Sequence, residues 1–243
     1  MLLCGLARFE RFAHLDYVPM PGADAAVREP WRMALAHLRA AKFDLSSPEV
    51  LGVLHATAYE ARVLVRMMER GVNAPMTSSL GRLFDAVAAV VLGRRIVDYE
   101  AQAAIELEAL AVDEPDTAEP YAMELIGGEW TLREPVRLSV LPLWEELMED
   151  MKAGLSKPRI AVRFHAGVAT GFVRAIVAAR TATGLKQVAL SGGVMHNRRL
   201  ARSLRAGLER EGFEVFQHRR VSPGDGGLSY GQAAVAAAML KNG

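Results

Sequence analysis

The residues best suited to chemistry lie in two glycine-rich stretches toward the C-terminal end. The first reads Val188-Ala-Leu-Ser191-Gly192-Gly193-Val-Met-His196-Asn197-Arg-Arg-Leu200. Ser191, Gly192 and Gly193 permit a turn that few other residues can make, and they leave backbone N–H groups uncovered by side chains. A short apolar run of strand type precedes them. A helical pattern follows to about residue 211, with Leu200, Leu204 and Leu208 on one face. A glycine turn that opens a helix attracts anions, with about 0.3–2 kcal/mol available to a nearby negative charge. Asn197 falls in the first helical turn, where its amide can point back over the glycines and both donate to and accept from a nucleoside. The second stretch is Ser222-Pro-Gly-Asp225-Gly-Gly227. Its glycines let a ligand or a metal approach the Asp225 carboxylate, although Asp-Gly is also a common turn pair. A third candidate is Gly81 with Asp85, one helical turn apart on a single face, with Leu83, Phe84 and Val87 as apolar neighbours.

Several chemistries are excluded by spacing. Ser191 lacks the glycine two positions earlier that a nucleophile elbow needs. No Gly-Lys-Ser/Thr follows the glycines, as a Walker loop requires. The six histidines, at 14, 37, 55, 165, 196 and 218, include no pair at the i, i+4 spacing of a helical metal site. His165, on an apolar helix, reads as a core or boundary histidine, and His196 adjoins the first turn. A purely structural strand–turn–helix corner stays open as the plain alternative for residues 187–211.

These residues need a scaffold, and the composition says which kind. Of 243 residues, 51% are apolar but only 7% aromatic, which favours a helix-rich α/β fold over an all-β sandwich. The 29 basic and 28 acidic residues leave a net charge of +1, so nothing marks a generic binder of nucleic acid or membrane surface. Cys4 is the single cysteine, which rules out an internal disulfide and a cysteine zinc site and fits a reducing cytoplasm. No stretch of about 20 apolar residues lacks charge, so no membrane span is expected.

Along the chain, residues 1–20 read as a piece of sheet that ends at Pro19 and Pro21. Its abrupt apolar start looks like entry partway through a domain. Helices are expected from Asp24 to about Ala41, with a kink or true start at Pro30. A second runs from Pro48 to Glu69 or Arg70, with Leu54, Ala58, Ala61 and Val65 as core. A third opens at residues 77–79, and a fourth covers 99–110. The acidic stretch 113–120 is the expected boundary. Residues 123–126 and 130–133 read as a hairpin across Gly127-Gly128. Helices at 138–153 and 158–183 follow; the second carries Phe164, Val168, Phe172 and Ile176 on one stripe. A short strand at 214–217 and an alanine-rich helix at 228–240 complete a second strand–turn–helix unit. In tandem with the first, it places both glycine turns at the carboxyl edge of a sheet, where ligands bind in open α/β folds.

With these motifs in hand, the chain resembles the C-terminal region of the hydrogenase maturation carbamoyltransferases, the HypF family. The matching runs include Leu15-Asp16-Tyr17, Pro30-Trp31-Arg32-Met33-Ala34, Thr77-Ser78-Ser79-Leu80-Gly81-Arg82-Leu83-Phe84-Asp85, and Tyr99-Glu100-Ala101-Gln102. Arg163-Phe164-His165, Ser191-Gly192-Gly193-Val194 with Asn197, and Asp225-Gly226-Gly227 with Gly231-Gln232-Ala233 complete the set. The resemblance implies an actin-like, ribonuclease-H-like ATPase lobe with a helical insertion. It divides the chain into the tail of a first lobe (1–20), a helical segment carrying Gly81 and Asp85 (21–112), and a second α/β lobe (121–243). It also implies that the positions of Asp85 and Asn197 contact ATP or ADP, with Gly81, Ser191, Gly192 and Gly193 around the nucleotide. Asp225 becomes one ligand of a divalent iron or zinc ion whose two histidine ligands come from the other lobe. The implied reaction passes a carbamoyl group from carbamoyl-adenylate to the C-terminal cysteine of a partner protein.

The sequence departs from the family in lacking the acylphosphatase, zinc-finger and adenylate-forming domains and the histidine motif of the first lobe. Ala101 stands where a glycine is usual, which alters the nucleotide contact; Gly224 stands where an asparagine is usual, which alters the turn. Two rivals are a truncated binding module that needs the missing lobe, and an enzyme of the tRNA threonylcarbamoylation type. Gly81-Arg82 argues against the second, whose members typically carry Gly-Glu there.

Overall fold

In a computed structural model, residues 1–115, 118–127 and 134–242 are described. The elements in chain order begin with four short strands, β1 (Leu2–Cys4), β2 (Phe9–Arg11), β3 (Ala13–Leu15) and β4 (Val18–Pro19). Helices α1 (Asp24–Arg28), α2 (Trp31–Ala40), α3 (Pro48–Leu54) and α4 (Ala58–Glu69) follow, then strand β5 (Met76–Thr77) and helices α5 (Leu80–Leu92) and α6 (Gln102–Leu110). Next come strands β6 (Glu124–Ile126) and β7 (Val136–Ser139), then helices α7 (Leu141–Lys152) and α8 (Lys157–Thr183). The chain ends with β8 (Gln187–Leu190), α9 (Arg198–Arg210), β9 (Glu214–Gln217) and α10 (Leu228–Asn242).

The chain forms two compact units. One comprises residues 1–14, 124–139 and 168–243; the other comprises 15–123 and 140–167.

The second of these units is largely helical. Of the two expectations at Pro30, a kink or a helix start, the structure shows a start: α1 ends at Arg28, and Pro30 caps α2. The expected helix from Pro48 onward is also two. His55 closes α3 in the left-handed region at φ 48°, and Thr57 starts α4 with a full capping box to Glu60. The break changes the core face: Leu54, Ala61, Leu64 and Met68 are buried, whereas Ala58 is exposed. Ser79 caps α5, whose residues 83–91 are all buried. Arg95 ties this helical layer together. It stacks 4.5 Å from the Trp31 ring, pairs with Glu60 at 2.7 Å and donates to the His55 carbonyl. These contacts hold Glu60 down at about pKa 2, the Arg95 hydrogen bond being the largest cause. Arg163 does the same around residues 119–121. Its guanidinium lies over the Tyr121 ring at 4.3 Å, pairs with Asp150 and with Glu146, and donates to the Glu119 carbonyl. Gly167 is required by close approach, because a Cβ there would stand 2.5 Å from the Tyr121 carbonyl oxygen.

The first unit carries most of the sheet structure; the short antiparallel pair β4–β5 belongs to the helical unit. Strands β1 and β2 pair antiparallel, and β7 sits between β3 and β6 in a three-stranded sheet. Strand β6 meets β7 antiparallel in the register Glu124↔Ser139, Leu125↔Leu138, Ile126↔Arg137. The expected hairpin partner at 130–133 lies outside the described residues. Residues 138 and 139, expected to open a helix, instead end β7, and α7 starts at Leu141. Strands β8 and β9 pair parallel from Gln187↔Glu214 to Leu190↔Gln217, with α9 as the crossover. Gly207 lets α9 lie against α8, its missing Cβ falling 2.9 Å from Val173. Helix α8 is long and apolar enough to cross a membrane, yet 56% of that stretch is buried within the protein, as in a core helix.

Candidate functional site

Parallel pairing puts the C-terminal ends of β8 and β9 on the same edge, so the two glycine turns become neighbours. The Gly192 N–H donates to the Pro223 carbonyl at 2.8 Å, and the Ser191 hydroxyl lies 3.4 Å from the same oxygen. Two serine–histidine contacts latch the turns crosswise. His218 Nε2 sits 3.0 Å from Ser191 Oγ, and His196 Nε2 sits 3.3 Å from Ser222 Oγ. Nothing in the local sequence around 191 foretells these latches; they follow from the strand pairing alone. Gly192 has φ 101°, a conformation that side chains resist, and the space where Cβ atoms of Gly192 and Gly193 would lie is open. At Gly227 the reason is contact: a Cβ there would stand 2.4 Å from the Ser222 carbonyl oxygen.

Asn197 differs from expectation. Gly193–His196 form a 3-10 turn, and Asn197 is extended at φ −67°, ψ 105°, so the α-helix starts only at Arg198. Asn197 is the cap, and its Oδ1 accepts from the Leu200 N–H at 2.8 Å. The amide is 8% exposed. Its oxygen therefore holds the helix start rather than lying over the glycines. The 3-10 ladder begins with the Met195 N–H bonded to the Gly192 carbonyl at 2.9 Å, so the N–H groups of Gly193 and Val194 lie ahead of it and form the donor edge of the turn.

Asp225 opens a second 3-10 turn, Asp225–Gly227, and is exposed. It fits a metal poorly by itself. Among the described residues no group of three or more His, Cys, Asp or Glu side chains is placed to hold one, whereas a catalytic site normally supplies about three protein ligands. Gly224, in the usual place of an asparagine, lets the turns approach: a Cβ there would meet Gly193 Cα and His196 Nε2 at 3.3 Å each.

Gly81 and Asp85 lie in the other unit, on the first turns of α5. Asp85 is 4% exposed, not a solvated carboxylate. Arg82 Nη1 stands 2.9 Å from its Oδ2 but without the alignment of a hydrogen bond. Burial pushes the Asp85 carboxyl up to about 6; Arg82 opposes that shift and Glu100 adds to it. His165 is fully buried, its Nδ1 2.7 Å from the Ala161 carbonyl oxygen and its ring edge-on to Phe84 at 5.3 Å, so it belongs to the core.

The profile of the family described as "Carbamoyltransferase, Kae1-like Domain, second subdomain" matches residues 1–232. The chain belongs to the HypF carbamoyltransferase family. A relative described as "Carbamoyltransferase HypF homolog", from Cupriavidus necator, is 39% identical over 234 residues, covering 93% of this chain and 57% of the relative. HypF of Rhizobium leguminosarum bv. viciae is 37% identical, covering 97% of this chain and 29% of its own length. Among solved structures, full-length HypF in the phosphate- and nucleotide-bound form superposes with a TM-score of 0.88 at 33% identity. That match covers 98% of this chain and 30% of the other. HypF of T. kodakarensis superposes with a TM-score of 0.82 at 27% identity, over 99% of this chain and 31% of the other. The helix-rich α/β fold is thus that of the Kae1-like part of HypF. The chain spans between 29% and 57% of the length of these relatives.

Proposed function

We propose that this chain is a nucleotide-holding part of a carbamoyltransferase that serves nickel–iron hydrogenase maturation. The observation that carries the proposal is the pair of latched glycine turns at one sheet edge, with the Gly193 and Val194 N–H groups leading into a capped helix. Support comes from the full-length HypF structure described as phosphate- and nucleotide-bound, which this chain matches over 98% of its residues. The nucleotide is ATP or ADP, or the adenylate part of carbamoyl-adenylate, held at 191–197. Aligned backbone N–H groups at a helix start suit a phosphate oxygen, and they need no reorganisation when charge arrives. In the reaction so proposed, a cysteine thiolate of the partner protein attacks the carbamoyl carbon. The C–S bond forms, the C–O bond to the phosphate breaks, and AMP leaves. No described residue stands out as the acid or base for that step, and Asp225 contributes at most one ligand to a metal completed by residues of another segment.

Titration calorimetry with ADP tests the nucleotide site. Asn197→Asp keeps the capping oxygen, so the helix start survives, but it adds a negative charge at the base of the turn that opposes a bound phosphate. ADP affinity should fall about tenfold or more, equivalent to ~1.4 kcal/mol or above. Equal affinity in wild type and Asn197→Asp would remove nucleotide binding from this turn.

A further inference from the structure

Beside the glycine turns, α9 and the end of β9 enclose an open hollow of about 370 Å³ whose outer wall is basic. Arg198, Arg202 and Arg205 line it from one face of α9, at i, i+4 and i+7, and His218 and Gln217 line it from β9. Leu190, Met195 and Pro223 form an apolar side. Two arginines of this unit are answered by acids: Arg205, in the hollow itself, pairs with Glu209 at 2.7 Å, and Arg180 pairs with Glu211 at 3.7 Å. Arg198 and Arg202, both exposed, make no ion pair among the described residues. Two unanswered guanidiniums one helical turn apart, beside a third, are a repulsive arrangement that an anion would relieve. Their planar forks suit phosphate oxygens, and one negative charge does not balance them.

We propose that this hollow is a separate binding site for a small anion carrying two or more phosphate groups. The row of arginines rises about 10 Å along the helix from 198 to 205. That reach fits a linear diphosphate or triphosphate. Arg198 and Arg202 supply the charge, and Gln217, whose Nε2 donates to the Ala201 carbonyl at 3.4 Å, turns its side-chain amide into the same corner. The hollow borders the 191–197 turn, sharing Met195 with it, but its charge comes from α9, so anion binding there does not depend on nucleotide binding at the turn.

Inorganic pyrophosphate and ADP serve as separate probes with the purified chain, by calorimetry at two salt concentrations. The variants are Arg198→Ala/Arg202→Ala and Asn197→Asp. Alanine keeps the helix, and circular dichroism checks that it has done so. Pyrophosphate should bind wild type with strong salt dependence and lose at least about tenfold in affinity in the double arginine variant, while Asn197→Asp leaves it within about twofold. ADP should show the reverse pattern. Three results overturn the proposal: no pyrophosphate binding to wild type, equal pyrophosphate binding to wild type and the arginine variant, or parallel loss of ADP and pyrophosphate in that variant. The last would mean that the arginines hold the nucleotide's own phosphates. Failure of ADP binding alone would strike the nucleotide turn and leave the arginine site standing.

Discussion

Ala101 is the residue at which family pattern and local physics meet most directly. It precedes α6 at φ 63°, in the left-handed region, where a Cβ costs roughly 1–2 kcal/mol. The glycine usual in the family suits that conformation, but glycine also loses about 0.4–1 kcal/mol through the freedom of the unfolded chain. Ala101→Gly should therefore stabilise the protein by about 0.5–1 kcal/mol, raising Tm by on the order of 2 °C in a calorimetric scan; a lowered Tm would contradict it. Two buried titratable groups in the same unit make a second prediction. Burial holds His37 down at about pKa 4, and its ring stacks on Trp144 at 5.6 Å. As pH falls from about 6.5 to 4 the unfolded chain takes up a proton that folded His37 refuses, so stability is lost on the acid side. Asp85 acts the other way. Its folded value of about 6 exceeds the ordinary 3.8, so its contribution is full below about pH 4 and is lost as pH rises through 6. Each swing is worth roughly 3 kcal/mol, and they oppose each other over the same window. Urea titrations from pH 4 to 7.5 should show a shallow profile for wild type. Asp85→Asn should make the protein lose stability toward acid, and His37→Phe should make it lose stability toward neutral pH. Parallel profiles for all three proteins would refute both assignments.

At the scale of elements, α10 invites the clearest measurement. It is an alanine-rich helix in which Leu228, Tyr230, Met239 and Leu240 are each more than half exposed, and only Ala238 is buried among its described side chains. Isolated helices of about 15 residues are marginal in water, so tertiary packing normally supplies what α10 lacks here. Its amides should exchange with deuterium at least about 100-fold faster than those of α5, whose residues 83–91 are buried. Equal protection in the two helices would show that α10 is held by something else. The elements also show what a sequence can reveal. Helical periodicity placed α8 and α9 because their apolar stripes are long and uninterrupted, and the start signal at residues 77–79 placed α5. The same periodicity runs through the junction at 55–57 and hid it, because only the left-handed His55 and the Thr57–Glu60 box mark the break. Strand β7 escaped because its burial comes from pairing with β6 and β3, remote in sequence, and the described residues leave the expected partner of β6 untested.

At the scale of the molecule, the chain matches its family over nearly its full length but spans only about 30% of the solved relative. The 243-residue chain assayed by itself should therefore transfer no carbamoyl group from carbamoyl phosphate to a cysteine-ended partner peptide, as read by mass spectrometry. Adding the upstream portion of a relative separately should restore transfer, since rate in such sites comes mainly from preorganised, water-excluding surroundings. A carbamoylated cysteine from the chain alone would make it self-sufficient. The two glycine turns and their place at one parallel sheet edge were legible in the sequence; the burial of Asp85 in the other unit was not, although its apolar neighbours hinted at it. The capping duty of Asn197 was not, because one residue's shift in a helix start turns a ligand-facing amide into a structural one. Nor were the crossed Ser–His latches, whose partners lie on different turns.

The three-stranded sheet also fixes the order in which this protein can assemble. Strand β3 pairs with β7, and the Val136 N–H donates to the Phe12 carbonyl at 2.8 Å across roughly a hundred and twenty intervening residues, a costly loop to close from a random coil. The intervening chain is mostly one compact unit of its own. Once that unit has condensed, the effective loop is short and the closing penalty largely vanishes. The pairing of β8 with β9 spans only one crossover helix and carries no such requirement. Folding should thus have two independent early nuclei, with the β3–β7 seam as the late step whose rate follows the stability of the inserted helices.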